Sequence, residues 1–290
     1  MINKLVIIGV GLIGGSAALA LRAAGQVRHI IGVGRSRENL DAALKLGIID
    51  TAATDAAQAV ADADVVLLAV PVGQIDAVMS VIAPHLSAHT IVTDAGSTKR
   101  DVLGAAHRHL PGHLARFVAA HPIAGAEKSG AAAAMVDLFR GRSVVLTPMP
   151  ENDPAAVRTV REMWTACGAV VREMAPQEHD AIFAAVSHLP HLLAFALVDE
   201  IAQRANADEL FGFAASGFRD FTRIAGSSPE MWRDICLANQ SALLNELDAY
   251  QMQLGRLRAA LESGDSKTLE HIFARASAAR NAWVLRQNSD

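Results

Sequence analysis

Histidine, serine and arginine side chains gather in four stretches of this chain. "VSHLPHLLAF" sets Ser187 and His191 four residues apart, on one face of a helix, with His188 a turn before His191. Pro190 between them removes a backbone hydrogen bond, exposes the carbonyl near Val186 and kinks the helix, so that one face can curve around a ligand. "VTDAGSTK" places Ser97 just past a strand end, where it can cap the next helix. "FVAAHPIAGAEKSG" ends a strand at His121-Pro122 and runs on through Gly125, Glu127 and Lys128. "SGFRDFTRIAGSSPEMWRDI" presents Arg219 and Arg223 one turn apart, with Trp232 and Arg233 beyond.

An imidazole exchanges protons near neutral pH, and an arginine fork grips a carboxylate or phosphate. Zinc is the other chemistry that the HxxH pair suggests, but no third ligand or cysteine cluster lies near it, so no metal is expected. Each residue also has a structural reading. His188 can be a satisfied core histidine, Ser97 a helix cap and nothing more. The arginines can form a surface ion-pair lattice with Asp220 and Asp234. Taken jointly, the four stretches favour chemistry.

A fifth motif concerns a cofactor. "GVGLIGGS" sets Gly9, Gly11 and Gly14, with Leu12 and Ile13 between, as GxGxxG after a strand and at the start of a helix. Gly9 permits the tight turn, Gly11 lets backbone approach a pyrophosphate, and Gly14 lets helix and strand pack closely. A dinucleotide is expected. An NAD site usually offers Asp or Glu about 20 residues on, to hold the ribose hydroxyls. Here the second strand ends in Gly34-Arg35-Ser36-Arg37, with two guanidiniums and a hydroxyl to take a 2′-phosphate, so NADP is expected, with NAD possible.

The elements that must position these residues follow from length and pattern. The chain has 290 residues, 51% hydrophobic and 19% charged, enough for two domains. A net charge of −4 gives no basic field for nucleic acid, so an anionic ligand must be held by a few local arginines. The two cysteines, Cys167 and Cys236, form no CxxC and read as reduced thiols in a cytoplasmic protein. "MINKLVIIGVGLIGGSAALALRAAG" resembles a signal peptide, but a second strand, "HIIGVGR", follows at once, so strand, turn and helix is the better reading. No other run suggests a membrane span, and a soluble protein is expected.

Short apolar runs, "KLVIIGV", "HIIGVG", "ADVVLLAVP", "TIVTDAGS", "RFVAAHP", "SVVLTP" and "AVVREM", alternate with helical stretches such as "ENLDAALKLG" and "VGQIDAVMSVIAPHL". This is the βαβ rhythm of a mostly parallel sheet covered on both faces. After "AVVREMAPQEHD" the strand signal stops, which places a domain boundary at 175/176: a dinucleotide-binding domain over 1–175 and a helical domain over 176–290. One long helix is expected through "EHDAIFAAVSHLPHLLAFALVDEIAQRA". Leu243, Leu247, Tyr250, Leu254, Leu257 and Leu261 form a heptad seam, fitting either a subunit contact or an internal helix. Residues 275–290 read as a fraying end.

Together, GxGxxG, "DAGSTK", "HPIAGAEKSG", "SHLPH" and "GFRDFTRIAGSSPEMWRDI" resemble the prephenate/arogenate dehydrogenases of tyrosine biosynthesis, from residue 5 to about 240. The resemblance implies an α/β Rossmann-like N-terminal domain, an all-α C-terminal dimerisation domain, a homodimer, and an active site in the cleft between domains. It also implies an oxidative decarboxylation, with hydride transfer to nicotinamide and loss of CO2. His121 matches the family's catalytic histidine, and Ser97 would orient it and the substrate hydroxyl. Arg223 matches the carboxylate-binding arginine, while His191, Ser187 and, more weakly, Trp232 would wall the substrate. His188 is read as structural, and Glu127 with Arg219 or Arg223 as an ionic gate. No fused chorismate mutase or regulatory ACT domain is expected.

The rivals are another two-domain NADP oxidoreductase, such as a 3-hydroxyacid dehydrogenase or pyrroline carboxylate reductase, and a non-catalytic NADP sensor. Neither needs "HPIAG" together with "SHLPH". Prephenate against arogenate stays open, NADP leaning towards arogenate, and so does feedback inhibition by tyrosine.

Overall fold

A computed structural model describes residues 1–125 and 130–287. The first element, β1 (Ile2–Ile8), is buried along nearly its whole length, and its alternating side chains feed two cores. Leu5 and Ile7 point into one apolar cluster; Val6 and Ile8 point into the other. A strand covered this way must lie inside a parallel sheet with helices on both faces.

The chain then runs α1 (Leu12–Ala23), β2 (Val27–Val33), α2 (Arg37–Lys45), β3 (Thr51–Ala53), α3 (Ala56–Ala59), β4 (Val65–Leu68), α4 (Val72–Ile82), β5 (Ile91–Asp94), α5 (Arg100–His109) and β6 (Phe117–Val118). Among the described residues these strands form a six-stranded sheet in the order β3-β2-β1-β4-β5-β6, parallel throughout. The order reverses between β1 and β4, and the carboxyl ends beside such a switch point open the crevice where ligands bind. The glycine turn after β1 stands there.

Two expectations about strands need correction. "RFVAAHP" is not one strand: it leaves the large sheet after β6 and re-forms as β7 (Ala120–Pro122) in a second sheet. "SVVLTP" and "AVVREM" join that second sheet as β8 (Ser143–Leu146) and β9 (Val170–Glu173), separated by α6 (Pro154–Ala166). β8 pairs antiparallel with β7 and parallel with β9. The short strand β3 carries only Thr51–Ala53, too brief for a hydropathy pattern to reveal.

Helices follow: α7 (Pro176–Phe183), α8 (Leu189–Ala202), α9 (Ala207–Gly212), α10 (Ser216–Thr222), α11 (Pro229–Ala238), α12 (Gln240–Glu262) and α13 (Ser266–Gln287). The long helix expected through "SHLPH" is interrupted by a π turn over Ala184–His188, just before Pro190. Proline cannot donate its missing N–H to the residue one turn back, and a widened turn accommodates the loss. The run Pro176–Ala202 is long and apolar enough to cross a bilayer by length and composition, which the hydropathy reading overlooked. It nevertheless carries the buried His179–Asp180 pair, which hydrogen-bonds to the start of α5.

Packing divides the chain into two compact units, Met1–Gln240 and a second from Ser241 on. In the second unit, α12 and α13 are joined through Gly264, whose positive φ of 65° ends the first helix. The tail does not fray at 275, because α13 continues to Gln287. Of the heptad seam, Leu243 is buried while Leu254 and Leu261 stay 46% and 67% exposed in the single chain.

Candidate active site

The glycine turn has the shape of a phosphate cradle. Gly9 sits at φ 102°, and a Cβ there would collide with the Ala69 carbonyl of the neighbouring β4 turn. A Cβ on Gly14 would collide with the Gly9 carbonyl, so strand and helix meet without side chains between them. Among the described residues nothing lies within 4 Å of where a Cβ on Gly11 would stand, which leaves space for a ligand to approach backbone. No side chain caps α1, and the N–H groups of Leu12, Ile13 and Gly14 in its first turn have no helical acceptor. These residues fit a dinucleotide pyrophosphate.

At the end of β2, Arg35, Ser36 and Arg37 are all exposed. The Ser36 hydroxyl caps α2 by accepting the Asn39 N–H at 3.2 Å, which still leaves its own hydrogen to donate. Arg37 reaches Asp41 at 3.2 Å along the helix, a weak exposed pair.

His121, in β7, heads a chain of hydrogen bonds. Its Nδ1 lies 2.8 Å from Nε2 of His179, whose Nδ1 lies 2.8 Å from Oδ1 of Asp180. Asp180 also accepts the backbone N–H groups of Lys99 at 2.8 Å and Arg100 at 3.0 Å. The protons follow from the end of the chain: the carboxylate accepts from His179 Nδ1–H, so His179 Nε2 accepts from His121 Nδ1–H. The Nε2 of His121 is thereby an acceptor. Burial holds the His121 pKa well below its ordinary 6.5, helped by the charges of His179, Lys99 and His188. Burial raises Asp180, but the His179 bond and the two N–H groups outweigh it and leave its pKa lowered.

Beneath this chain a buried ion pair fixes β7. Lys99 and Asp94 are both fully buried and in contact. Asp94 accepts the Ala120 N–H at 3.0 Å, and Lys99 donates to the Ala120 carbonyl at 2.7 Å. Both backbone groups of the residue before His121 are thus pinned by side chains reaching across from β5 and its following turn.

The "SHLPH" wall stands on other contacts. His191 donates through Nδ1 to the Ser187 carbonyl at 2.8 Å, not to the Ser187 hydroxyl, and stacks on Trp232 with ring centroids 3.6 Å apart. Its pKa is lowered by burial and by the nearby charge of Arg223. His188 is buried, with Nδ1 3.0 Å from the Asn239 amide, which also donates to the Asp180 carbonyl at 2.8 Å. Burial takes its pKa to about 4. Arg219 and Arg223 do not share one α-helix: α10 ends at Thr222, and Arg223 opens a 3-10 turn.

Ser97, half-buried in the turn after β5, does not cap α5. The N-cap is Lys99, and the Asp180 carboxylate supplies the acceptor that Ser97 was expected to provide. His179 likewise takes over the orienting of His121. Glu127 and Lys128, with the ionic gate, lie outside the described residues.

The sequence reading passed over Asp94, Lys99, His179, Asp180 and Asn239. Their one visible signal is charge or amide in runs otherwise apolar, such as "EHD" before "AIFAAV".

The lowered histidines carry a stability prediction. His121, His179, His188 and His191 bind protons less readily in the folded chain than at the ordinary 6.5, so the unfolded chain takes them up first as pH falls. Stability is therefore complete above about pH 6.5 and declines below it. For His188 the loss reaches about 1.4 kcal/mol per pH unit between its ordinary value and about 4. Calorimetry from pH 7.5 to 5 should show a level Tm down to about pH 6.5 and a falling one below it, and a Tm flat over the whole range would contradict the burial of neutral imidazoles.

Comparison with known proteins places both parts of the chain in one family. Residues 17–173 match the nucleotide-binding domain of prephenate dehydrogenase, and residues 175–275 match its dimerization domain. The prephenate dehydrogenase of Bacillus subtilis (strain 168) is 39% identical over 289 residues, covering 99% of this chain and 78% of the relative. The cyclohexadienyl dehydrogenase of Zymomonas mobilis is 35% identical, over 97% of this chain and 96% of the relative. The crystal structure of prephenate dehydrogenase from Aquifex aeolicus with hydroxyphenyl propionate and NAD+ superposes with a TM-score of 0.88 at 34% identity, covering 100% of this chain and 99% of that one. Both family matches thus fall in one chain, the first over most of the α/β half and the second over most of the helical half. The chain belongs to the prephenate/arogenate (cyclohexadienyl) dehydrogenase family, the NAD(P)-dependent oxidoreductases of tyrosine biosynthesis.

Proposed function

We propose that the enzyme oxidatively decarboxylates arogenate in preference to prephenate, with NADP as its preferred acceptor, as a cytoplasmic homodimer whose helical domain begins at residue 176. The observation that carries the mechanism is the His121–His179–Asp180 chain, which leaves His121 neutral with a lone pair on Nε2. A nicotinamide dinucleotide held at the Gly9, Gly11 and Gly14 turn would supply the hydride acceptor for the ring carbon bearing the hydroxyl. His121 Nε2 accepts that hydroxyl's hydrogen bond, which strengthens as the oxygen loses electron density. The ring carboxylate departs as CO2, its bonding electrons completing the aromatic ring. Arg223 grips a substrate carboxylate, and Ser97 contributes its hydroxyl at the ring hydroxyl.

His191, Ser187 and Trp232 form the wall at the side-chain end. The His191 Nδ1–H is committed to the Ser187 carbonyl, so its Nε2 is an acceptor. An acceptor there complements the ammonium of arogenate and offers nothing to the keto oxygen of prephenate. The NADP reading rests on the exposed Arg35 and Arg37, the spare hydrogen of Ser36 and the lack of an acid at the very end of β2, where Gly34 stands. The Aquifex relative holds NAD+, so the NADP reading rests on this chain's own residues alone.

The test crosses prephenate and arogenate with NAD+ and NADP+, following the absorbance of the reduced nicotinamide. Arogenate with NADP+ should give the highest kcat/KM, and Arg35→Ala should erase about a tenfold advantage of NADP+, the scale of one lost charge-assisted contact. Higher efficiency with NAD+ would overturn the cofactor preference, and higher efficiency with prephenate the substrate one. Silence with all four pairs would overturn the activity itself.

A further inference from the structure

One half-buried amide ties the cofactor cradle to the chain beyond the catalytic strand. Asn39, in the first turn of α2, donates through Nδ2 to the Val10 carbonyl at 2.7 Å. Through Oδ1 it accepts the Ala131 N–H at 2.8 Å. Gly130 beside it sits at φ 85°, and a Cβ there would stand 3.2 Å from the Asn39 oxygen. Further along, Met135 donates its N–H to the buried Ser16 hydroxyl at 2.9 Å. A Cβ on Gly15 would lie 2.9 Å from the Cβ of Ala134, so the 130–135 segment is seated directly on α1.

The Val10 bond has a consequence for the glycine turn. A trans peptide is planar, with its C=O and N–H pointing in opposite directions. Holding the Val10 carbonyl therefore fixes the direction of the Gly11 N–H, at the glycine of this turn whose surroundings are open among the described residues. An Asn amide can do this while accepting from Ala131, because donor and acceptor share one rigid plane. Neither Asp nor Leu at this position offers both.

We propose that Asn39 is a positioning residue for the dinucleotide: it locks the Val10–Gly11 peptide so that the cradle is formed before the pyrophosphate arrives, with the 130–135 segment as its anchor. The proposal rests on the dinucleotide lying in the glycine turn. It assigns Asn39 no contact with the 2′-phosphate, so the effect must be the same for NAD and NADP.

The experiment titrates wild type, Asn39→Ala and Ser16→Ala with NADH and NADPH, following nucleotide fluorescence, with Tm and kcat at saturating cofactor measured alongside. Asn39→Ala should weaken both nucleotides about tenfold, the effect of a lost hydrogen bond that preorganises a site, with kcat at saturation within about twofold of wild type. Ser16→Ala loosens the same segment without touching the turn, so it should lower Tm and leave both Kd values within about twofold. If Asn39→Ala lowers Tm but binds both nucleotides as wild type does, the positioning role is overturned. A loss confined to NADPH would overturn it in favour of a 2′-phosphate contact. Wild type that binds neither nucleotide would overturn the cradle, and the role of Asn39 with it.

Discussion

His121→Asn should lower kcat by about 10²- to 10⁴-fold, the range for a positioned general base, while KM for substrate and Kd for cofactor stay within a few-fold. The asymmetry follows from when the interaction matters. In the proposed role, His121 Nε2 meets a neutral hydroxyl in the ground state, and only as hydride leaves does that hydroxyl press its proton on the imidazole. A side chain that strengthens its bond only then appears in kcat, not in KM. Asn keeps a polar group at the site but no basic nitrogen, so it tests basicity and not polarity. The wild-type pH profile gives an independent check. Because burial and neighbouring charge hold the His121 pKa well below 6.5, kcat/KM should remain level through pH 6.5 and fall only at more acid pH. Near-normal turnover in His121→Asn, or an acid limb centred at 6.5, would remove His121 from the role of acceptor.

The second large effect is on stability. Lys99→Met should cost about 3–5 kcal/mol, the usual loss when one partner of a buried ion pair is removed. Met fills most of the lysine volume, so the loss is electrostatic: Asp94 becomes a buried carboxylate without a counter-charge, and the Ala120 carbonyl loses its donor. Urea unfolding should show a lower midpoint with an unchanged slope. Lys99→Met combined with Asp94→Asn should recover part of the loss, because the amide oxygen can still accept the Ala120 N–H without burying a charge. A cost below about 1 kcal/mol for Lys99→Met, the range of an exposed pair, would show that the pair is hydrated in solution and not a fixed clamp beneath the catalytic strand.

How much of this was legible beforehand differs from residue to residue. The turn at Gly9, Gly11 and Gly14 could be read outright, because each glycine answers a local demand: a positive φ, an open approach, a close helix–strand contact. His121 could be singled out as a histidine at a strand end, but not the tautomer that makes it an acceptor. That depends on His179, 58 residues away in the chain, and on Asp180, whose carboxylate meets backbone groups 80 and 81 residues back. Ser97 shows the converse error. Its position beside a helix start made it a plausible cap, yet a residue from α7 arrived with a stronger acceptor.

The amino-acid sequence by itself determined the elements and their burial: the β/α alternation, the glycine cradle, the helical half and a glycine, not an acid, at the end of β2. These are properties of neighbours along the chain, and hydropathy period and turn chemistry report them. Tertiary structure alone decided that "RFVAAHP" divides between two sheets, that the Lys99–Asp94 pair clamps Ala120, and that His179 and Asp180 set the proton on His121. The periodic pattern tells each residue which face of its own element is covered. It carries no information about which distant polar group will be waiting there.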